Sequence, residues 1–228
     1  MVLLKLKQAP YEPLDQASDK NVTLKTVFLL ALATAKRVSE LHGLSYIISH
    51  SQGWQRVYLS MDPSFVAKTQ VPGRPTTEPE PIAVPALEQV LAQGEEDLLL
   101  CPVRALKRYL KITKTARPVC SRLFVSSHKN VKKAISKNTI SYWIRQVIND
   151  AYKHSQERDL SQVQVKAHEV RAVATSLLFK KNSSIKEVMD AASWRCQSTF
   201  SSFYLRDVTH QSLDLHTLRP VVAAQHLV

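Results

Sequence analysis

Apolar residues recur every three or four positions in several parts of this chain, which is the period of a helix with one buried face. The spacing predicts a first helix over residues 24–35 and a later one over residues 140–151. Another helix is expected from Pro102, because proline suits a first helical turn. Ser184 and Glu187 predict a capping box at the start of a short helix near the C-terminal end.

A smaller part of the chain alternates between apolar and polar residues, as half-buried strands do. The alternation predicts a hairpin with strands over residues 57–61 and 65–69, joined by a turn at Asp62 and Pro63. A short strand is also expected over residues 82–84, after a proline-rich loop. The predicted fold class is therefore mostly α with a small antiparallel β-sheet (α+β).

The same pattern divides the chain into three parts. Residues 1–20 contain two prolines and no helical period, so an irregular N-terminal segment is expected. Residues 21–207 hold enough apolar positions for one compact domain with a single core. Residues 208–228 form a tail rich in leucine and valine.

The charge of the chain indicates a class of binding partner, because the formal net charge is +12 and the isoelectric point is about 9.7. A basic protein that neutralises phosphates releases counterions, so the excess favours a nucleic acid as partner. The three cysteines lack a Cys-x-x-Cys spacing, which indicates neither a disulfide framework nor a zinc ribbon. The longest apolar run, residues 27–35, is too short to cross a bilayer. An intracellular protein without a membrane partner is expected.

Five widely separated residues have side chains that phosphodiester chemistry can use: Arg37, His168, Arg171, Trp194 and Tyr204. His168 and Arg171 stand three positions apart on a predicted helix, so their side chains share a face and can converge on one anion. Taken alone, a His-x-x-Arg pair is also typical of a polar helix surface. Tyr204 taken alone is also typical of an aromatic core stripe, because two phenylalanines precede it. The joint pattern favours chemistry.

In order and context these residues resemble the catalytic domain of tyrosine recombinases, the phage-integrase superfamily. The resemblance extends over residues 22–207, nearly the whole chain. Arg37, Glu40 and Leu41 reproduce the Arg-x-x-Glu-Leu context of the first arginine in that family.

The second half of the resemblance lies toward the C-terminus. His168 and Arg171 match the His-x-x-Arg box of the family, and Trp194 stands where a histidine or tryptophan follows that box. Tyr204 then takes the position of the nucleophile, although the interval from Trp194 is one residue longer than the commonest one in the family.

The resemblance implies a metal-free transesterification. The Tyr204 hydroxyl would attack the scissile phosphate and form a 3′-phosphotyrosyl intermediate. Arg37 and Arg171, permanently charged and fork-shaped, would clamp the phosphoryl oxygens. Because the ester keeps the bond energy, no nucleotide cofactor is needed, and the chain has only four glycines and no phosphate-cradling loop. No His-Glu-x-x-His motif or cluster of acidic residues in the sequence indicates a metal site.

The remaining roles are implied in the same way. His168 would assist proton transfer at the tyrosine or the phosphate, and Trp194 would offer its indole N–H to a phosphate oxygen. A lysine in a strand turn protonates the leaving oxygen in this family, and Lys68 is the best match, with Arg74 as the alternative. Glu40, one helical turn after Arg37, is expected to orient that arginine.

Two stretches, residues 100–110 and 198–207, look most like recombinases of DIRS-type retroelements, which are transposable elements. That likeness implies the nucleus as location, or the cytoplasm if the source is prokaryotic. It also implies double-stranded DNA as partner, no small-molecule substrate, and a homotetramer assembled on DNA. The tail 208–228 would dock on a neighbouring protomer, or else pack on its own domain or fray.

The expected function is that of a site-specific DNA recombinase or integrase of a mobile element. Two alternatives stay open at the level of sequence. The same groups serve DNA relaxation of the type IB topoisomerase kind. A decayed domain that binds DNA without cutting it is the other alternative, because the short N-terminal segment is not expected to supply the separate DNA-clamping domain of full recombinases, and one extra residue precedes Tyr204.

Overall fold

The computed structural model of the chain describes residues 1–66, 80–89, 91, 96–115, 120–126, 133–153, 166–180 and 184–191. The helices in these ranges are α1 (Val2–Leu6), α2 (Asp19–Thr34), α3 (Val38–Gly43), α4 (Pro102–Ile112), α5 (Lys137–Tyr152), α6 (His168–Lys180) and α7 (Ile185–Ala191). The strands are β1 (Leu44–His50), β2 (Arg56–Met61) and β3 (Ile82–Pro85). Short 3-10 turns cover Gln52–Trp54, Leu87–Gln89 and Glu96–Leu100.

Helix α2 is the centre of the core, and every residue from 22 to 34 is buried. It packs against α4, α5 and α6, which explains why its apolar positions do not keep to one face. Its buried threonines keep hydrogen-bond partners, because the hydroxyls of Thr23, Thr26 and Thr34 each donate to the carbonyl four residues earlier. A helix buried on all sides can hold its neighbours in fixed positions.

At the start of α4 and of α5, a side chain accepts a hydrogen bond from a backbone N–H of the first turn, which has no partner within the helix. Cys101 Sγ accepts from the Arg104 N–H at 3.4 Å, and Ser136 Oγ accepts from the Thr139 N–H at 3.1 Å. Helix α5 then buries the apolar stripe that the sequence predicts: Ile140, Trp143, Ile144, Val147, Ile148 and Ala151. The predicted helices from Pro102 and over residues 140–151 are confirmed.

The sheet has three antiparallel strands in the order β1-β2-β3. Central strand β2 buries Val57 and Leu59, and Val57 pairs with Val84 of β3. Both β2 and β3 are predicted correctly. The predicted pairing of β2 with residues 65–69 is wrong, because β2 pairs with β1 on one edge and with β3 on the other, and Phe65 lies outside any strand. Residues 67–69 of the predicted second strand lie outside the described residues.

The N-terminal segment also differs from expectation, since residues 1–20 contain helix α1 and the start of α2. Leu6 of α1 and Tyr11 are fully buried in the core. The capping box before α7 is present as predicted, with the Ser184 N–H donating to Glu187 Oε2 and the Glu187 N–H donating to Ser184 Oγ. The chain is mostly helical with a small antiparallel sheet, which confirms the predicted fold class.

Candidate active site

A tight turn between α2 and α3 presents two basic residues in succession. Ala35 ends α2 in the left-handed region at φ 50° and ψ 22°, where its N–H donates to the Ala31 carbonyl at 3.1 Å. That backbone conformation costs about 1 kcal/mol in a residue with a Cβ. The turn leaves Lys36 and Arg37 immediately before α3, with about a third of the Arg37 side chain exposed.

Glu40, one turn into α3, is the acidic centre of the site. The Arg37 backbone N–H donates a hydrogen bond to Glu40 Oε2 at 2.6 Å, and this bond caps the start of α3. Glu40 Oε1 lies 3.7 Å from Arg37 Nη1, and its Oε2 lies 3.8 Å from Arg171 Nη1. One carboxylate therefore holds two guanidiniums that are far apart in sequence. Both distances exceed a normal hydrogen bond, so the carboxylate attracts the two groups by charge.

Arg171 reaches this carboxylate because α6 packs on α2. Its neighbours Val170 and Ala174 are buried in the core, and the Thr175 hydroxyl donates to the Arg171 carbonyl at 2.8 Å. The Arg171 side chain is only 3% exposed, which makes its position depend on the helix packing. His168 is the first residue of α6, one turn before Arg171, and is exposed.

Lys36 belongs to the same charged group. Burial lowers the pKa of its ammonium, and the positive charges of Arg171 and Arg37 lower it further, while Glu40 opposes them. The sequence analysis did not single out this lysine. The only signal in the sequence is its place beside Arg37.

The structure thus brings Arg37 and Arg171 together around Glu40. Lys68, Trp194 and Tyr204, and the alternative Arg74, lie outside the described residues. Among the residues that the structure describes, no group of three or more His, Cys, Asp or Glu side chains could hold a metal ion. Within the same ranges, no helix has the length and apolar character needed to cross a membrane.

A second cluster, also missed by the sequence analysis, joins the end of α3 to the end of β2. Asp62 Oδ1 accepts from the Ser64 N–H at 2.9 Å and from its hydroxyl at 2.5 Å. Arg122 Nε lies 3.7 Å from the same oxygen, and Arg122 Nη2 donates to Ser64 Oγ at 2.9 Å. Arg122 Nη1 also donates to the His42 carbonyl at 3.5 Å. The Asp-Pro-Ser sequence, a typical turn former, was the available signal.

This Asp62 cluster explains why β2 does not continue into the predicted hairpin. The Asp62 N–H donates to the Gly43 carbonyl at 2.8 Å, and Phe65 folds back so that its ring lies against Gly43. A Cβ at Gly43 would come within 2.4 Å of that ring, so the close approach requires glycine. The end of α3, one turn beyond Glu40, is thereby tied to the sheet.

Asp62→Asn is expected to destabilise the protein by about 2 kcal/mol near pH 7. Burial alone would raise the pKa of Asp62, but hydrogen bonds from Ser121 and Ser64 and the charge of Arg122 bring it to about 2. The pKa is lower in the folded state, so the stabilisation is complete above the ordinary pKa of 3.8 and is lost as the pH falls toward 2. Urea unfolding of both proteins between pH 7 and pH 3 measures this difference.

The exposed Asp15→Asn serves as the matched control and should unfold like the parent chain across the series. A gap between parent and Asp62→Asn that stays constant down to pH 3 would contradict the assigned charge interaction.

No protein-family model matches this sequence, and no curated protein matches it significantly. Several solved structures are similar to it. XerA recombinase is 15% identical, with a TM-score of 0.51, and the match covers 92% of this chain and 62% of that one. Lambda integrase residues 75–356, a dimer bound to a COC′ core site, is 18% identical with a TM-score of 0.46, covering 91% and 58%. A lambda integrase tetramer bound to a Holliday junction is 17% identical with a TM-score of 0.43, covering 89% and 46%.

This chain therefore spans about half to three fifths of the length of these structures. The match with XerA recombinase covers nearly all of the present chain. The chain has the mostly helical fold, with a small antiparallel sheet, of a tyrosine recombinase catalytic domain.

Proposed function

We propose that this chain is the catalytic domain of a site-specific DNA recombinase or integrase of a mobile element. It would cut and rejoin DNA strands through a 3′-phosphotyrosyl intermediate at Tyr204, without metal or ATP. The observation that carries the proposal is the convergence of Arg37 and Arg171 on Glu40 within a recombinase-like fold. Because both guanidiniums lie within 4 Å of one carboxylate, they are close enough together that one phosphate could accept from both.

The charge of the two arginines suits the transition state of phosphoryl transfer. When Tyr204 attacks, negative charge builds on the non-bridging oxygens, and donors that are already in place stabilise it without reorganisation. Glu40, which lies 3.7 and 3.8 Å from the two guanidiniums, and the packing of α6 on α2 would provide that preorganisation. His168, which is exposed one turn before Arg171, would assist proton transfer. Trp194 would donate its indole N–H to the phosphate, and Lys68 would supply a proton.

Double-stranded DNA is the proposed partner, and the net charge of +12 supports it. We propose a homotetramer on two duplexes, with the tail 208–228 docking on a neighbouring protomer. Strand exchange needs two duplexes and more than one protomer, whereas DNA relaxation needs neither.

A covalent-trapping experiment tests the proposal. The probe is a pool of end-labelled duplexes with a randomised central segment, nicked so that the cleaved fragment diffuses away and the protein–DNA ester persists. We expect a labelled adduct that resists SDS and disappears on treatment with protease. Tyr204→Phe should abolish it, while Tyr142→Phe, a change at an exposed tyrosine of α5, should leave it intact.

The outcomes separate the candidate functions. DNA binding without any adduct would replace the recombinase with a binding module. An adduct that survives Tyr204→Phe would assign the nucleophile to another residue. An adduct accompanied by relaxation of supercoiled plasmid, with no joining of two duplexes, would favour the topoisomerase-like activity.

A further inference from the structure

Arg122 lies where the end of α3, the start of β1 and the residues after β2 meet. Its backbone is fixed to the sheet, because Arg122 pairs with Ser45 of β1 in an isolated antiparallel bridge. Beside that bridge, the Leu123 N–H donates to the Leu44 carbonyl at 2.8 Å. The Arg122 side chain is only 15% exposed, so most of its surface contacts the protein. Arg122 is therefore a fixed part of the framework around the sheet.

The Arg122 guanidinium joins two separate parts of the chain. Its Nη2 donates to Ser64 Oγ at 2.9 Å, and its Nε lies 3.7 Å from Asp62 Oδ1, both just after β2. Its Nη1 donates to the carbonyl of His42, one residue before the end of α3, at 3.5 Å. Each nitrogen of the planar group thus faces a different acceptor, an arrangement that the single nitrogen of a lysine does not offer.

The connection from β2 to β3, residues 62–81, starts from this anchored position. The Asp62 N–H donates to the Gly43 carbonyl at 2.8 Å, and the Phe65 N–H donates to the Asp62 carbonyl at 2.8 Å. Lys68 stands three positions after Phe65 in the sequence, and three residues span at most about 11 Å. The position of Phe65 therefore limits how far Lys68 can lie from the end of α3.

We propose that Arg122 is a positioning residue, which holds the start of the β2–β3 connection on α3 so that Lys68 reaches the scissile phosphate. This inference rests on the proposed function, in which Lys68 supplies a proton. Arg122 touches no reacting atom and acts through Lys68.

The physical reason is that the proton donor and the phosphate-binding arginine act on the same phosphate. Arg37 immediately precedes α3, and Gly43 is the last residue of this six-residue helix. Contacts at the end of α3 therefore set the start of the connection relative to the helix that follows Arg37. Misplacing a reacting group by about 1 Å can cost about 100-fold in rate. Loss of the guanidinium removes the side-chain links between the connection and α3, so we expect Lys68 to be placed less accurately.

A bridging-sulfur substrate tests whether Arg122 acts through the proton donor. The probe is the duplex recovered from the trapping pool, made with either oxygen or sulfur at the 5′ bridging position of the scissile phosphate. In the oxygen duplex, the Tyr204 oxygen bonds to phosphorus as the bond to the 5′ oxygen breaks, and the Lys68 ammonium gives that oxygen its proton. Sulfur leaves as a thiolate, which needs no proton.

Arg122→Ala should slow single-turnover adduct formation on the oxygen duplex by about 10- to 100-fold. The same variant should cleave the sulfur duplex at nearly the parent rate. Ser64→Ala is a milder second variant, because it removes the acceptor of Arg122 Nη2 and leaves the ion pair with Asp62 in place. It should show the same pattern with a smaller loss, and it decides the question alone if Arg122→Ala does not fold.

A double variant tests the dependence on Lys68 directly. Lys68→Ala should slow cleavage of the oxygen duplex by about 100- to 10,000-fold, the range of general acid catalysis, and sulfur should restore the rate. Adding Arg122→Ala to Lys68→Ala should cause no further loss, because residues that act as a unit do not contribute additively. Arg145→Ala, a change at an exposed arginine of α5, should match the parent chain on both duplexes.

Each other outcome overturns the proposal. Equal losses on both duplexes, or a loss that adds in full to that of Lys68→Ala, would mean that Arg122 acts on something other than the proton donor. Parent rates for Arg122→Ala on the oxygen duplex would leave it no role in the reaction. If sulfur does not rescue Lys68→Ala, the positioning role falls while the Tyr204 adduct still supports the proposed function. If the parent chain forms no adduct with either duplex, the proposed function fails first, and the role of Arg122 fails with it.

Discussion

Replacing Arg171 with lysine is expected to slow covalent adduct formation by about 100- to 1000-fold, although the positive charge is kept. The guanidinium is a planar fork that can donate two parallel hydrogen bonds to a phosphate, and an ammonium on a flexible stem cannot. Arg171 is 3% exposed and held by the packing of α6 on α2, so a shorter reach cannot be compensated by movement of the backbone. Single-turnover cleavage of the trapping duplex measures the loss.

The loss should appear in the rate and not in DNA affinity. Most affinity for a duplex comes from many phosphate contacts, of which Arg171 would provide one. Arg145→Lys, a matched change at an exposed arginine of α5, should leave the rate unchanged. Arg171→Lys would refute the role if it cleaves at the parent rate. A parallel fall in unfolding free energy large enough to empty the folded state would instead make the arginine structural, and urea unfolding of the same variant detects it.

The sequence predicts those parts of the fold in which one short segment contains the whole signal. The helical period over residues 140–151 matches the buried stripe of α5, and the short strand near Ile82 is present. Strand β1 was missed because its buried residues do not alternate, and its register shifts between Leu44 and Ile48. The hairpin partner of β2 was predicted wrongly at Phe65, because alternation carries no information about the Asp62 cluster that ends β2.

The sequence predicted which residues belong to the candidate site, but not how they are arranged in space. The motif around Arg37 and the His-x-x-Arg box indicate an anion site, but they do not show that Glu40 contacts both arginines. That contact depends on how α3 and α6 pack around α2, which local spacing does not encode. The sequence analysis did not identify Lys36 for the same reason, because burial lowers the pKa of its ammonium and the charge of Arg171, on a distant helix, lowers it further.

A third charged group, in the N-terminal part of the fold, could not be predicted from the hydrophobic pattern either. Lys25 lies in the middle of α2 and is fully buried, where its Nζ donates to the Leu6 carbonyl at 2.7 Å and to Glu12 Oε1. Arg104 of α4 donates to both carboxylate oxygens of Glu12, at 2.6 and 3.0 Å. Glu12 therefore joins the N-terminal segment to two core helices.

The directions of the pKa shifts agree with this arrangement. Burial raises the pKa of Glu12, but hydrogen bonds from Arg104 and Lys25 outweigh it, and the net pKa is lowered. Burial lowers the pKa of Lys25, and the interaction with Glu12 only partly offsets it. The ammonium of Lys25 thus depends on one carboxylate for compensation of its charge.

Glu12→Gln is accordingly expected to destabilise the protein by about 3 to 5 kcal/mol, because it leaves the buried Lys25 charge uncompensated. A loss of this size is a large fraction of the stability of an ordinary domain. Urea unfolding at neutral pH measures it. The double variant Glu12→Gln with Lys25→Met removes both charges and should recover much of the loss, since an apolar side chain of similar length fills the same space. A double variant no more stable than Glu12→Gln would show that the carboxylate acts mainly through Arg104 and the Leu14 N–H, which donates to its Oε2 at 2.8 Å.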